Sequence, residues 1–201
     1  MKLQAFMFMG RPGCGKGTQA ALLMEVIKKL DPTRQLLTIE TGAILRKFNQ
    51  GPTYTAEIAR KVMDAGGLLP EFMPILMWAN TLAEQFKGDQ HVFIDGSPRK
   101  LLEAQLLESA LPFYGLDCHV IYLDVHHEES KKRLLLRGKT SGRKDDNEAS
   151  IERRKAAYEK DTHPAVEYLQ GRPNMHFHSV DGIGTIQEVH ERIMKALDFP
   201  A

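Results

Sequence analysis

The sequence predicts an α/β fold with a mainly parallel sheet. Three observations carry this. Short apolar runs of strand length alternate with stretches of helical periodicity along the whole chain. The first apolar run passes through a glycine-rich loop directly into a helical stretch. Glycine-containing turns follow several later runs, and open parallel sheets gather such turns at their carboxyl rim, where ligands bind.

The 201 residues suit one domain whose core needs neither disulfides nor metals. The composition is globular, 42% hydrophobic and 26% charged, and the net charge of +1 argues against a general nucleic-acid or membrane-surface binder. Any anion site must come from local clustering of basic residues. Two cysteines, Cys14 and Cys118, are too few for a four-thiolate zinc site or a secreted disulfide scaffold. No apolar stretch approaches a membrane span, and the first one is too short for a signal peptide. A cytoplasmic protein is expected.

In order, strands are predicted over 3–9 (LQAFMFM), 36–39, 91–95, 118–125 and 175–180. Helices are predicted over 18–30, 43–48 and 54–65, with Thr41 capping the second and Gly66-Gly67 stopping the third. Another runs from near Pro70 to about Phe86, with Pro74 tolerated in its first turn. Helices over 101–111 and 128–137, a polar loop over 138–146, a long charged helix over 147–169 and a closing helix over 185–197 complete the chain.

The chemistry starts in the loop GRPGCGKGT. Gly10, Gly13, Gly15 and Gly17 let backbone N–H groups turn inward around an anion, and the helix that follows adds its positive end. Lys16 supplies a full charge for the outer phosphates of a nucleoside triphosphate. Asp95 ends an apolar strand, where a phosphate-loop protein places the acid that holds Mg²⁺. Arg46, Arg99, Arg133, Arg137, Arg143 and Arg154 can converge on the same rim, which points to a second phosphate group. Transfer between two nucleotides follows, with positioning and charge neutralisation carrying the catalysis. The polar segment from Gly138, with Arg143 in it, reads as a small lid that excludes water.

With GRPGCGKGTQ, TGAILR, GGLLP, DGSPR and RLLLRGKTSGRKDDN in place, the whole chain resembles the adenylate kinases and their close relatives, the UMP/CMP kinases. The resemblance implies a P-loop NTPase fold, a five-stranded parallel sheet with helices on both faces. It implies a single domain, 1–201, with a monophosphate-binding segment at 41–70 and a short lid at 137–146 that lacks a zinc-binding insert. The implied reaction is reversible transfer from MgATP to a nucleoside monophosphate, with AMP the expected acceptor. Catalysis would rest on Lys16, Arg99, Arg133, Arg143 and Arg154. ATP would be held by Gly13, Cys14, Gly15, Lys16, Gly17, Thr18, Arg133, Arg137 and Gly184. The monophosphate would meet Thr41, Gly42, Arg46, Met63, Leu68, Leu69, Gly96, Arg99 and Glu103, with Arg143, Asp145 and Arg154 reaching it and Asp145 orienting the lid arginines. Asp95 would hold Mg²⁺ through water, with no zinc. A monomer is implied, with no nucleic-acid or membrane partner.

The chain departs from that pattern at Ala43, Ser97 and Glu103, where the family has Asp, an aromatic, and Gln or Asn. Ala43 implies weaker metal support, and Ser97 removes an apolar wall. An ionised Glu103 offers hydrogen-bond acceptors only, which suits guanine, and in part cytosine, better than adenine. The alternatives are therefore a kinase for CMP, UMP or GMP, a kinase with a non-nucleotide acceptor, and a catalytically weak nucleotide-binding regulatory protein.

Overall fold

The structure is a computed structural model that describes residues 1–141 and 146–199. Its strands are β1 (Gln4–Met9), β2 (Leu36–Glu40), β3 (His91–Asp95), β4 (Asp117–Asp124) and β5 (Met175–Asp181). They form one parallel sheet in the order β2-β3-β1-β4-β5, each within one residue of its predicted bounds. The helices are α1 (Lys16–Leu30), α2 (Thr41–Phe48), α3 (Tyr54–Asp64), α4 (Phe72–Gln85), α5 (Leu101–Phe113), α6 (His127–Ser141), α7 (Glu148–Ala157), α8 (His163–Gln170) and α9 (Ile186–Ala196).

Both faces of the sheet are covered, which is why its inner strands read as continuous apolar runs. Leu23 and Ile27 of α1 and Val189 and Ile193 of α9 pack with Phe6, Phe8, Phe93 and Ile121 on one face. Trp78 and Leu82 of α4, Leu107 and Leu111 of α5 and Leu169 of α8 pack with Met7, Val92, Ile94 and Val120 on the other. Each such side chain, fully buried, contributes about 1.5–3 kcal/mol. A smaller core of Leu45, Ala59, Leu69 and Met73 joins α2, α3 and the start of α4.

β1 is central, and the chain builds first to one side of it and then to the other. The crevice at such a switch lies at the carboxyl end of β1. Phe8 pairs in register with Asp95, and Asp95 with Glu40, so the turns after β1, β2 and β3 meet at one rim.

Three local expectations are corrected. Thr41 does not cap α2: it is the first helical residue, and its buried hydroxyl has no hydrogen-bond partner. α6 does not stop at Arg137 but runs through Ser141. Gly138 sits inside it for close approach, since a methyl there would lie 2.7 Å from the Asp146 carbonyl oxygen. The long helix over 147–169 is three pieces, α7, one π-helical turn at Tyr158–Thr162, and α8. Pro164, in the first turn of α8, has no N–H and crowds the carbonyl four residues back. The chain widens to relieve this, and His163 N–H donates to the Tyr158 carbonyl.

Candidate active site

A cavity of about 740 Å³ opens at this rim, between the turns after β1, β2, β3 and β5 and the facing sides of α6 and α7. The loop after β1 forms its floor. Gly15, the residue before α1, has φ +103° with open space around its Cα, so backbone conformation, not crowding, selects glycine there. α1 then starts at Lys16 and aims its unpaired N–H groups at the cavity. Lys16 Nζ lies back over the loop, donating to the carbonyls of Gly10 at 2.7 Å and Arg11 at 3.0 Å. Cys14 is buried in the core below, its Sγ 3.5 Å from Lys16 Nζ. Asp95 faces the loop, its Oδ2 3.7 Å from where a Gly17 side chain would begin.

The turns after β2 and β3 bring two arginines together. A methyl on Gly42 would lie 3.2 Å from Arg46 Nη1 and 3.7 Å from Arg99 Nη2. Arg99 Nε donates to the Gly96 carbonyl at 2.9 Å, which fixes the fork. Arg99 lies deep in the crevice yet presents its surface to the cavity. Burial presses its pKa down, Glu103 and Asp95 oppose this, and Arg46 and Arg154 press it further. Met63, Leu68 and Leu69 supply the apolar wall nearby, and Thr41 and Gly96 the backbone edge.

α6 and α7 close the cavity. Arg133 donates to Glu129 at 2.8 Å and to the Gly182 carbonyl at 3.1 Å, tying α6 to the turn after β5. Arg137 makes a two-pronged pair with Asp146, at 2.6 and 2.9 Å, and Arg154 donates to the same carboxylate at 2.7 Å. These bonds hold the Asp146 carboxyl below its usual range although burial works the other way. Gly184 lines the far side, before the Thr185 and Glu188 capping box that opens α9.

The match to known proteins agrees with this geometry. The family model described as adenylate kinase covers residues 8–173. The chain belongs to the adenylate kinase family. It is 35% identical over 190 residues to a Bacteroides fragilis protein named adenylate kinase, covering 94% of this chain and 95% of that one. It is 37% identical over 197 residues to the adenylate kinase of Thermus thermophilus, covering 96% and 97%. It is 38% identical over 190 residues to that of Parabacteroides distasonis, covering 94% and 95%.

In this adenylate kinase family member, every site residue named from the sequence lines the one cavity, apart from Arg143 and Asp145, which lie outside the described residues. Gly13, Thr18 and Gly17 line it with the rest of the loop. Sequence reading placed Asp146 in the lid segment but gave the orienting role to Asp145 alone; Asp146 joins Arg137 to Arg154. It left out Arg153, whose Nε donates to the Ala65 carbonyl at 2.6 Å and ties α7 to the end of α3. An acid beside several arginines was the available signal for Asp146. Arg153 had none, because its partner is a backbone oxygen 88 residues away.

Proposed function

We propose that this protein reversibly transfers a phosphoryl group from MgATP to AMP, giving two ADP. Family membership supports the reading. One observation carries it to the residues: a phosphate-binding loop and a separate arginine pair, Arg46 and Arg99, open into the same cavity. Two phosphates approaching there repel by roughly 4 kcal/mol per unit-charge pair at 4 Å. Lys16, Arg133 and Arg154 offset that repulsion along the transfer path, with Arg143 and Asp145 assigned to the lid over it. Gly13, Cys14, Gly15, Gly17 and Thr18 cradle the donor phosphates through the backbone, and Arg137 and Gly184 flank the donor base. Thr41, Gly42, Met63, Leu68, Leu69, Gly96 and Glu103 surround the acceptor. No general base is required, since the acceptor is already an anion.

Asp95 fits a role toward Mg²⁺: among the described residues its carboxylate makes no hydrogen bond or ion pair, and it faces the loop. Mg²⁺ takes one or two carboxylates and completes its shell with water and phosphate oxygens. When bound, it supplies charge neutralisation on the donor phosphates. Neither zinc nor a macromolecular partner enters the reading. We take the protein to act as a monomer in the cytoplasm, checked by light scattering and by cell fractionation.

The test is ADP formation from MgATP with AMP, CMP, UMP and GMP in turn, beside Lys16→Ala. AMP used best, and turnover cut by about 100- to 1000-fold in the variant, is expected. Faster use of another monophosphate, or ATP binding without turnover, would overturn the reading.

A further inference from the structure

Arg11 is unlike the rest of the loop after β1. Among the described residues 9–18, it alone does not line the cavity. An arginine in a loop that cradles phosphate has an obvious use facing inward, at the charge. Here the side chain turns away. Its guanidinium lies over the ring of Tyr158, 4.7 Å from the centroid, and pairs with Glu159. Tyr158 is itself fixed: it is buried, and its hydroxyl meets that of Tyr122 of β4 at 3.1 Å. Both partners of Arg11 therefore sit at the start of the π-helical turn Tyr158–Thr162. The far end of that turn grips the acceptor side, where the Thr162 hydroxyl donates to the Arg99 carbonyl at 2.9 Å.

Each gripped residue carries part of the site. The Arg11 carbonyl accepts from Lys16 Nζ at 3.0 Å and from the Cys14 N–H at 3.1 Å, so a tilt of Arg11 moves both the lysine and the turn of the loop. Arg99 holds its fork against the Gly96 carbonyl and is assigned to the acceptor phosphate. The Arg11 and Glu159 side chains are 21% and 46% exposed, and an ion pair so open to solvent adds little to stability. Its use lies in placement. Reacting atoms must meet at about 3–3.5 Å, and a misplacement of about 1 Å costs about 100-fold in rate. Resting on the phosphoryl-transfer reading above, we propose that Arg11 is a positioning residue: with Tyr158 and Glu159 it docks the donor loop on the same turn that holds the Arg99 backbone, so one five-residue element sets the spacing between the donor and acceptor phosphates. Arg11 acts through Lys16 and the loop and touches neither nucleotide.

The test is steady-state kinetics with MgATP and AMP for the wild type, Arg11→Ala, Arg11→Lys, Thr162→Val and the double variant carrying Arg11→Ala and Thr162→Val. Arg11→Ala should lower kcat by about tenfold and shift KM for MgATP and for AMP by less than about threefold, since the binding groups stay while their alignment is lost. Arg11→Lys keeps a charge for Glu159 but not the planar face over the ring, and should lose less. Thr162→Val releases the other end of the turn and should lower kcat by about threefold or more. Both releases undo one link, so the double variant should fall within about twofold of the worse single variant, whereas losses at independent sites multiply. Losses in kcat that multiply overturn the proposal, as does an unchanged kcat in Arg11→Ala. A rise in KM for MgATP alone makes Arg11 a direct phosphate ligand and overturns it too. A wild type that turns over no monophosphate overturns the reaction reading itself, whatever the variants do. Thermal melts identify a variant that fails to fold; if Arg11→Ala does, Arg11→Lys with Thr162→Val carries the same comparison.

Discussion

Asp146 accepts a hydrogen bond from Arg154 at 2.7 Å through the same Oδ1 that accepts one from Arg137 at 2.9 Å. One carboxylate, with its side chain fully buried, therefore sets the position of a guanidinium on α6 and another on α7. Asp146→Asn keeps the shape and removes the charge. With charged hydrogen bonds contributing about 1.5–3 kcal/mol each, the variant should lower kcat by at least about tenfold and lower the Tm. The sign with pH is fixed too. The folded pKa is depressed, so this stabilisation is complete above the unfolded value near ~3.9 and is lost as pH falls through the folded one. Denaturant melts of the wild type and variant should converge only in strong acid.

Lys16 sits where the helix N-terminus and the loop meet, and its present partners are two backbone carbonyls. Lys16→Ala returns those carbonyls to the cavity solvent at a cost of about 1 kcal/mol. The loss of a charge aimed at transferring phosphate costs far more, about 100- to 1000-fold in kcat. Steady-state rates beside a thermal melt separate the two: activity should collapse while Tm moves by a few degrees at most.

The Arg46 and Arg99 pair is assigned to the acceptor. Arg99→Lys keeps charge but loses the planar fork, and Arg46→Ala removes a fork outright. Each should raise KM for AMP by about 10- to 100-fold and leave KM for MgATP nearly unchanged. A rise in KM for MgATP with KM for AMP unchanged would place the pair on the donor side.

Far from the cavity, His119 of β4 and His178 of β5 face each other with ring nitrogens 3.1 Å apart, so at least one of them must stay neutral. The His176 ring lies tilted beside that of His119, centroids 5.1 Å apart, and bonds Asp117. Burial, then the neighbouring histidines, push the His119 pKa down to about 4, and burial lowers that of His178 too. A lowered folded pKa means stability is intact above the unfolded value near ~6.5 and drains away as pH falls toward the folded values. Urea melts should lose about 1–2 kcal/mol between pH 7 and pH 4.5, and His119→Gln should flatten that slope.

The fold was readable because local and global signals agreed. Each strand is an apolar run bounded by turn residues, and the helix starts at Thr53 and Thr185 carry side-chain caps that sequence can show. The residues lining the cavity were readable for a related reason, since strand ends in a parallel sheet share a rim. What sequence could not show was set by contacts at a distance. Gly138 reads as a helix stop but is a docking point for Asp146. Thr41 reads as a cap, yet it is the first helical residue and its buried hydroxyl has no hydrogen-bond partner. Glu103 reads as a solvent-facing charge, yet the start of α5 buries it.

The π-helical turn at Tyr158–Thr162 has a consequence for which changes the chain can tolerate. It lies between Arg154, which must face the cavity, and Val166 and Leu169, which must face the sheet. Deleting a single residue there would leave the segment helical but turn one half against the other by about 100°. Either the arginine would swing out of the cavity or the leucine off the core, and the Thr162 hydroxyl would lose its bond to the Arg99 carbonyl. Point substitutions on this stretch should be forgiven far more readily than any change in its length.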